Sequence, residues 1–258
     1  MTSILREKDD EGALRDKNFP LSSKYNPVWI FENQMGPNAL VLTEWVCRDM
    51  KLKPGMRVLD MGCGKALSSI FLAKEFDIEV WACDLWIDPS ENWKRIQEAG
   101  FDKKIAPLCA DAKSLPFAEE FFDAIISIDS YHYYGTNDFF LEYILKYLKP
   151  LGQIGIAIPS LVKELPEEPP EHIAKSFSEE ERQLIIPLDR WKTMWEESGL
   201  VKLEKAEEFK DGWSFWLEFR KAQLEAGYPM HATDEIETLE IDKGEYLGFA
   251  KIVGAKQE

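Results

Sequence analysis

A chain of 258 residues, 45% hydrophobic and 12% aromatic, carries enough apolar material for one sizeable core, or one core with a small subdomain. Its formal net charge of -16 argues against a nucleic-acid partner, which needs clustered Lys and Arg; no Lys/Arg-rich run is present. No run of eighteen apolar residues occurs, and the charged stretch Arg6-Glu7-Lys8-Asp9-Asp10-Glu11 lacks the apolar centre of a secretory signal, so the expectation is a chain without a membrane span, in the cytoplasm. The four cysteines, Cys47, Cys63, Cys83 and Cys109, fit no zinc spacing; no metal is expected, and the oligomeric state (monomer or homodimer) stays open.

Residues 1–24 are polar and read as ordered only by docking. The next stretch, Tyr25-Asn26-Pro27-Val28-Trp29-Ile30-Phe31-Glu32-Asn33-Gln34-Met35-Gly36-Pro37, holds too much apolar surface for a tail and reads as a segment that folds over something, a lid over residues 1–37. Asn38 can cap a helix running to about Met50. Lys53-Pro54-Gly55 is a turn into a first strand, Arg57-Val58-Leu59-Asp60-Met61, followed by the glycine turn Gly62-Cys63-Gly64 and a helix to about Phe76. A second strand at 79–84 ends in Asp84, and Pro89 opens a helix closing near Gly100. A third strand at 104–109 leads to Ala110-Asp111-Ala112. A fourth at 122–129 ends in Asp129, and a helix is expected over 138–148 before a fifth strand at 153–158.

The alternation then breaks. Glu164-Leu165-Pro166-Glu167-Glu168-Pro169-Pro170-Glu171 cannot form a regular element, so 160–187 reads as an inserted lid. A helix at 188–198, a strand at 200–208, a helix at 213–226 and a last strand at 246–253 complete the chain. Strands alternating with helices predict an α/β fold: a doubly wound, mostly parallel, seven-stranded Rossmann-like sheet over residues 38–258.

In such a sheet, ligands lie beyond the carboxyl ends of the strands. Asp60, Asp84, Asp111 and Asp129 stand at or just after four of those ends. An acid twenty residues beyond Gly64 suits a ribose diol, so Asp84 points to a nucleoside. The third glycine of a dinucleotide fingerprint would fall at Leu67 and is absent, which disfavours a nicotinamide oxidoreductase; Gly64-Lys65-Ala66 lacks the hydroxyl of a phosphate-binding loop. Several carboxylates suit a ligand that carries positive charge.

Val58-Leu59-Asp60-Met61-Gly62-Cys63-Gly64 resembles the first motif of the class I S-adenosylmethionine-dependent methyltransferases. Asp84, Asp111, Phe122-Asp123-Ala124-Ile125-Ile126-Ser127 and the turn Lys149-Pro150-Leu151-Gly152-Gln153-Ile154 match the later motifs in order, so the resemblance covers about residues 38–158. One departure is Ala66, where many members have a third glycine. The resemblance implies that Gly62, Cys63 and Gly64 approach the methionine part of S-adenosylmethionine, with Asp60 orienting the loop and helping to receive the ammonium group. It implies that Asp84 binds the ribose, Asp111 with Ala112 nearby meets the adenine amino group, and Leu85 or Trp86 covers the ring. Ser127 to Ser130, Asp129 included, would line the methionine side.

The implied reaction is an SN2 displacement at the sulfonium methyl by a small-molecule acceptor, with S-adenosylhomocysteine as product. Asp129-Ser130-Tyr131-His132-Tyr133-Tyr134-Gly135 follows the fourth strand, where the family meets its substrate. His132 and Tyr133 are the catalytic candidates; Trp29, Phe31, Tyr131, Tyr134 and Trp191 are the candidates for holding the acceptor. Two alternatives stay open: a cyclopropane-type, lipid-modifying enzyme, and a protein that binds S-adenosylmethionine without turnover.

Overall fold

The structure is a computed structural model and describes residues 3–6, 14–137, 139–229 and 232–257; Asp138 and His231, singled out above, lie outside the described residues, as does 7–13 of the N-terminal stretch. Seven strands form one sheet: β1 (Arg57–Met61), β2 (Glu79–Asp84), β3 (Ile105–Cys109), β4 (Phe122–Ile128), β5 (Leu148–Leu161), β6 (Val201–Glu208) and β7 (Leu247–Lys256). Their order is β3-β2-β1-β4-β5-β7-β6. The first five pair in parallel, while β7 slots antiparallel between β5 and β6. The chain therefore turns back across β1 between β3 and β4, and a crevice opens there at the carboxyl ends.

Successive residues of each strand feed opposite faces. Val58, Val80, Ala124 and Ile126 join one apolar layer with α2 (Ala39–Cys47) and α3 (Leu67–Phe76). Leu59, Met61, Ile125 and Ile156 join the other, with α6 (Phe140–Leu145) and α9 (Leu188–Glu197). Both faces are covered, which is why these strands read as nearly unbroken apolar runs. Asn38 caps α2 by accepting from Val41 N, and Asp88 caps α4 (Pro89–Glu98) by accepting from Ser90 N.

Four expectations change. The helix expected over 138–148 is only α6, because Leu148 already pairs with Phe122 at the start of β5. That strand runs on to Leu161 because its last residues pair with β7, down to Leu161 with Leu247. The 160–187 stretch is not all irregular: after the proline run it forms α7 (Glu171–Ser176) and α8 (Glu179–Leu184), the latter closed by a capping box between Ser178 and Glu181. An acidic helix, α11 (Ala232–Asp242), packs against α10 (Gly212–Glu225) where no element was expected.

β7 carries one buried cation in its centre. Lys251 is 1% exposed, yet its Nζ meets Asp49 Oδ2 at 2.5 Å, Glu207 Oε1 at 2.9 Å and the Trp45 carbonyl at 2.9 Å. Paired in this way, the ammonium group is tolerated where a lone charge would not be.

Candidate active site

The site begins at the end of β1. Asp60 shares a face with Val58 and so turns toward α3. There, Ser68 and Ser69 in the first turn both donate to its Oδ2 at 2.6 Å. Oδ1 is enclosed and has no hydrogen-bond partner. Burial pushes the carboxyl up to about 6, against the two serine bonds and with the charge of Asp84 adding to the rise.

The chain next makes a left-handed turn at Gly62 (φ 73°) and again at Gly64 (φ 52°). Both glycines are required sterically. A β-carbon on Gly62 would collide with Ser130 Oγ, and one on Gly64 would approach Met35 Sδ within 2.8 Å. Ala66, where the third glycine is missing, also adopts a left-handed conformation (φ 63°) just before α3. Alanine therefore keeps the loop geometry at the expense of some backbone strain.

Strand β2 supports this loop from its own end. The Cys83 carbonyl accepts from Gly62 N (2.8 Å) and Cys63 N (3.0 Å). Asp84 Oδ2 accepts from Gly64 N at 2.8 Å, while Oδ1 accepts from Trp86 N and Ile87 N at 2.8 and 3.0 Å. Asn92 of α4 donates to the Gly64 carbonyl at 2.8 Å. The Cys63 and Cys83 thiols are buried, and burial foremost pushes both upward, Cys83 to about 12. They stay protonated and act as small apolar groups. Among the described residues no group of three or more His, Cys, Asp and Glu side chains could hold a metal ion.

A cavity of about 470 Å³ lies over these strand ends. Gly62, Cys63, Gly64, Asp84, Leu85, Trp86, Asp111 and Ala112 line it on the β1, β2 and β3 side; Asp129, Tyr133 and Tyr134 line it on the β4 side. Trp86 is 70% exposed at the mouth, edge-on to the Tyr133 ring at 6.0 Å between centroids. The Tyr134 hydroxyl lies 2.8 Å from Ser130 Oγ and 3.0 Å from Ser127 Oγ, so its edge is held rather than free. Asp129 takes a left-handed conformation (φ 52°), and its carboxylate occupies the space over the α-carbon of Gly36.

The N-terminal segment closes the cavity with Asn33, Met35 and Gly36, beside Ala39 at the start of α2, and not with its aromatics. Trp29 and Phe31, in α1 (Pro27–Asn33), turn away: Trp29 stacks near Tyr25, and Phe31 packs on Phe219 of α10. Neither lines the cavity, because Asn26 caps α1 and the resulting helical turn puts both rings inward. The segment is pinned at several points. Arg95 Nε donates to Asn33 Oδ1 at 3.1 Å. A buried Arg220 grips Glu235 of α11 through Nε (2.7 Å) and a terminal nitrogen (2.9 Å), and its other terminal nitrogen reaches Gln34 at 3.3 Å.

Asp60, buried behind the loop, does not line the cavity, and four further candidates lie outside it. Tyr131 and Trp191 are fully buried against each other, ring centroids 5.7 Å apart, within the layer under α9. Ser127 is buried and donates to the Met61 carbonyl at 2.9 Å, behind the Tyr134 ring. His132 is also buried, its Nδ1 without a partner, and burial pulls the imidazole down to about 4. In α5 (His132–Gly135) Tyr133 lines the cavity, and the His132 ring packs against it, centroids 4.0 Å apart, without lining the cavity itself. Sequence reasoning missed Met35, Gly36, Ser68 and Ser69. The close Asp60-to-Ser68 spacing, strand end to first helical turn, was the one available signal for the serines.

Residues 58–152 match the methyltransferase-domain family. Methyltransferase GfsG of Streptomyces halstedii is 27% identical over 117 residues, 45% of this chain and 42% of that protein. An O-methyltransferase of Pyrenophora dematioidea is 26% identical over 206 residues, 76% of each chain. Phosphoethanolamine N-methyltransferase 2 of Haemonchus contortus, solved in complex with S-adenosyl-L-methionine, superposes with a TM-score of 0.71 at 20% identity, over 96% of this chain and 61% of that one. The chain spans less than half the length of the first curated relatives it matches, between 24% and 44% of them. The ordered motifs of residues 58–152, set at the strand ends of a 3-2-1-4-5-7-6 sheet, thus make this part of the chain similar to a methyltransferase domain, on a fold shared with a methyltransferase solved with S-adenosyl-L-methionine.

Proposed function

We propose that this chain binds S-adenosylmethionine in the cavity over β1, β2 and β4 and transfers its methyl group to a small-molecule acceptor. The observation that carries the reading is the convergence on one cavity of a left-handed Gly62–Gly64 loop and Asp84 and Asp111, backed by Asp60 with an enclosed, unpartnered oxygen. That set fits the cofactor: an orphaned carboxylate oxygen behind the loop suits an ammonium group, directly or through water, and acids after β2 and β3 suit a ribose and an amino-purine. A positively charged sulfur makes the methyl carbon electrophilic without a metal.

The protein's part is positioning. Asp84 holds the glycine loop by Gly64 N and leaves lone pairs toward the ribose. Trp86 and Leu85, exposed at the mouth, are placed to cover the base. Asn33 to Gly36 close the cavity over the sulfur and shield it from water. The cavity lies within the 300–1,000 Å³ range of small-ligand sites and the chain carries a net charge of -16, which favours a small acceptor over an anionic polymer.

Calorimetry with S-adenosylmethionine, S-adenosylhomocysteine and NAD tests the cofactor. The expected result is binding of the first two and not of NAD; the reverse would sink the reading. Asp84→Ala should abolish cofactor binding, since it frees three loop amides at once. Release of S-adenosylhomocysteine across a metabolite panel then identifies the acceptor, and cofactor binding without release from any acceptor would favour the non-catalytic alternative.

A further inference from the structure

Resting on the cofactor reading above, we infer that Asp129 is the proton acceptor for an amine-type methyl acceptor, bound between Tyr133 and Gly36 at the β4 side of the cavity. The strand order gives the cavity two ends. The nucleoside acids Asp84 and Asp111 follow β2 and β3, on one side of β1; β4 lies on the other side of it. The cations that line the cavity, Lys65 and Lys113, belong to the glycine loop and to the segment after β3. On the β4 side the lining is Ile128, Asp129, Ser130, Tyr133 and Tyr134, and the single formal charge among them is Asp129.

The backbone presents that charge deliberately. A left-handed residue at the end of β4 is uncommon outside glycine, asparagine and aspartate. It swings the carboxylate away from the strand and over Gly36, where any side chain on residue 36 would collide with it. Gly36 is thus the clearance that lets an acidic group face the cavity beneath the closing segment. The cation whose charge acts on Asp129, Arg220 of α10, is held by Glu235 of α11 through two nitrogens, with Gln34 and Gln223 on the third. It therefore biases Asp129 without being free to pair with an anionic acceptor.

The groups around Asp129 set its titration. Burial raises it to about 7, with Glu235 adding and Arg220 opposing. Tyr133 of α5, raised to about 12 by burial and by Asp129, Glu181 and Glu235, stays a neutral hydrogen-bond donor beside it. A carboxyl near 7 is ionised often enough to receive a proton and basic enough to take one. An ammonium group entering this end pairs with the carboxylate and gives one N–H proton to it. The freed nitrogen lone pair forms the N–C bond as the C–S bond breaks, its electrons staying on sulfur. The product leaves as the methylated ammonium with S-adenosylhomocysteine, and Asp129 passes its proton to water.

Two measurements test this. Carbon-13 labelling of aspartate carboxyls locates Asp129 by the signal lost in Asp129→Asn; asparagine tolerates the left-handed conformation, so the fold is kept. In the ligand-free protein that signal should titrate near 7, and titration in the ordinary carboxylate range overturns the inference. Release of S-adenosylhomocysteine is then followed over amines, alcohols, thiols and carboxylates built on shared carbon skeletons. Turnover should favour the amines, and Asp129→Asn should lower kcat by roughly 10²–10⁴-fold with cofactor affinity within about twofold. Turnover with no amine, or an unchanged kcat in Asp129→Asn, overturns it. Failure of S-adenosylhomocysteine to bind the wild-type protein is a separate signal, which removes the cofactor reading itself.

Discussion

Asp60→Asn separates the electrostatic role of the carboxylate from its shape. The wild-type carboxyl moves from 3.8 to about 6 on folding. Between those values the native state holds more protons than the unfolded chain, so stability falls as pH rises through that window. Ionisation then costs the folded protein about 1 kcal/mol at pH 4.5 and about 3 kcal/mol by pH 8. An amide has the same outline, can still accept from Ser68 and Ser69 through its oxygen, and does not ionise. It introduces one buried donor where Oδ1 now stands, at a pH-independent cost of about 1–3 kcal/mol. The difference in unfolding free energy, variant minus wild type, should therefore rise by about 2 kcal/mol from pH 4.5 to 8, whatever its starting offset. Urea unfolding of both proteins at each pH measures it, and other titrating groups cancel in the difference. Saturation with S-adenosylhomocysteine should shrink the pH dependence, because in the binding mode proposed above its ammonium group would lower the folded-state pKa, directly or through water. A difference that stays flat across the range in the free protein would refute the argument that burial governs this carboxyl.

Gly62→Ala should destabilise by about 2–4 kcal/mol, from left-handed strain plus the collision with Ser130, and abolish cofactor binding. The double variant Gly62→Ala with Ser130→Gly should regain the collision part and leave the backbone part, which urea unfolding resolves. Trp191→Phe should lower stability by about 1–3 kcal/mol while leaving KM for any acceptor unchanged, because the ring packs on Tyr131 outside the cavity; a KM change with stability intact would return it to the site. Arg220→Met should cost about 3 kcal/mol by removing the cation from Glu235, which keeps only the Trp216 indole N–H, and the donor from Gln34, and should move the Asp129 titration above about 7. A carboxyl-13C titration checks the last point.

The sheet strands were legible because burial on both faces leaves runs such as Val58-Leu59 and Ile125-Ile126, bounded by turn residues. The loop acids were legible because Asp60, Asp84 and Asp111 sit at strand ends and need no knowledge of packing. The aromatics were not. Trp29, Phe31, Tyr131 and Trp191 have the chemistry of an acceptor pocket, but the face each presents is decided by one helical turn, roughly 100° per residue, which side-chain type does not encode. His132 drew attention by its rarity, but it is its neighbour Tyr133, packed against it, that lines the cavity. α11 stayed hidden because its Asp234-Glu235-Ile236-Glu237-Thr238-Leu239-Glu240 run is mostly charged; it is held in place by α10, with Arg220 on Glu235, rather than by a broad apolar stripe. Gly36 could not be distinguished from an ordinary turn glycine until Asp129 was seen above it.

The ammonium group buried in the centre of β7 has a bearing on how the sheet is assembled. β7 must enter a gap flanked by β5 and β6 and find its antiparallel alignment among apolar residues, Ile252, Val253 and Ala250, that are nearly interchangeable. A slip by one position would carry Lys251 from the Asp49 and Glu207 carboxylates to the opposite face, among Ile156 and Trp195. There it would be a charge without a counterion, a misalignment that costs several kcal/mol where a shifted isoleucine would cost little. Lys251 thus works as a proofreading key. It contributes modestly to the strength of the finished sheet, and its larger effect is to make the neighbouring alignments unaffordable.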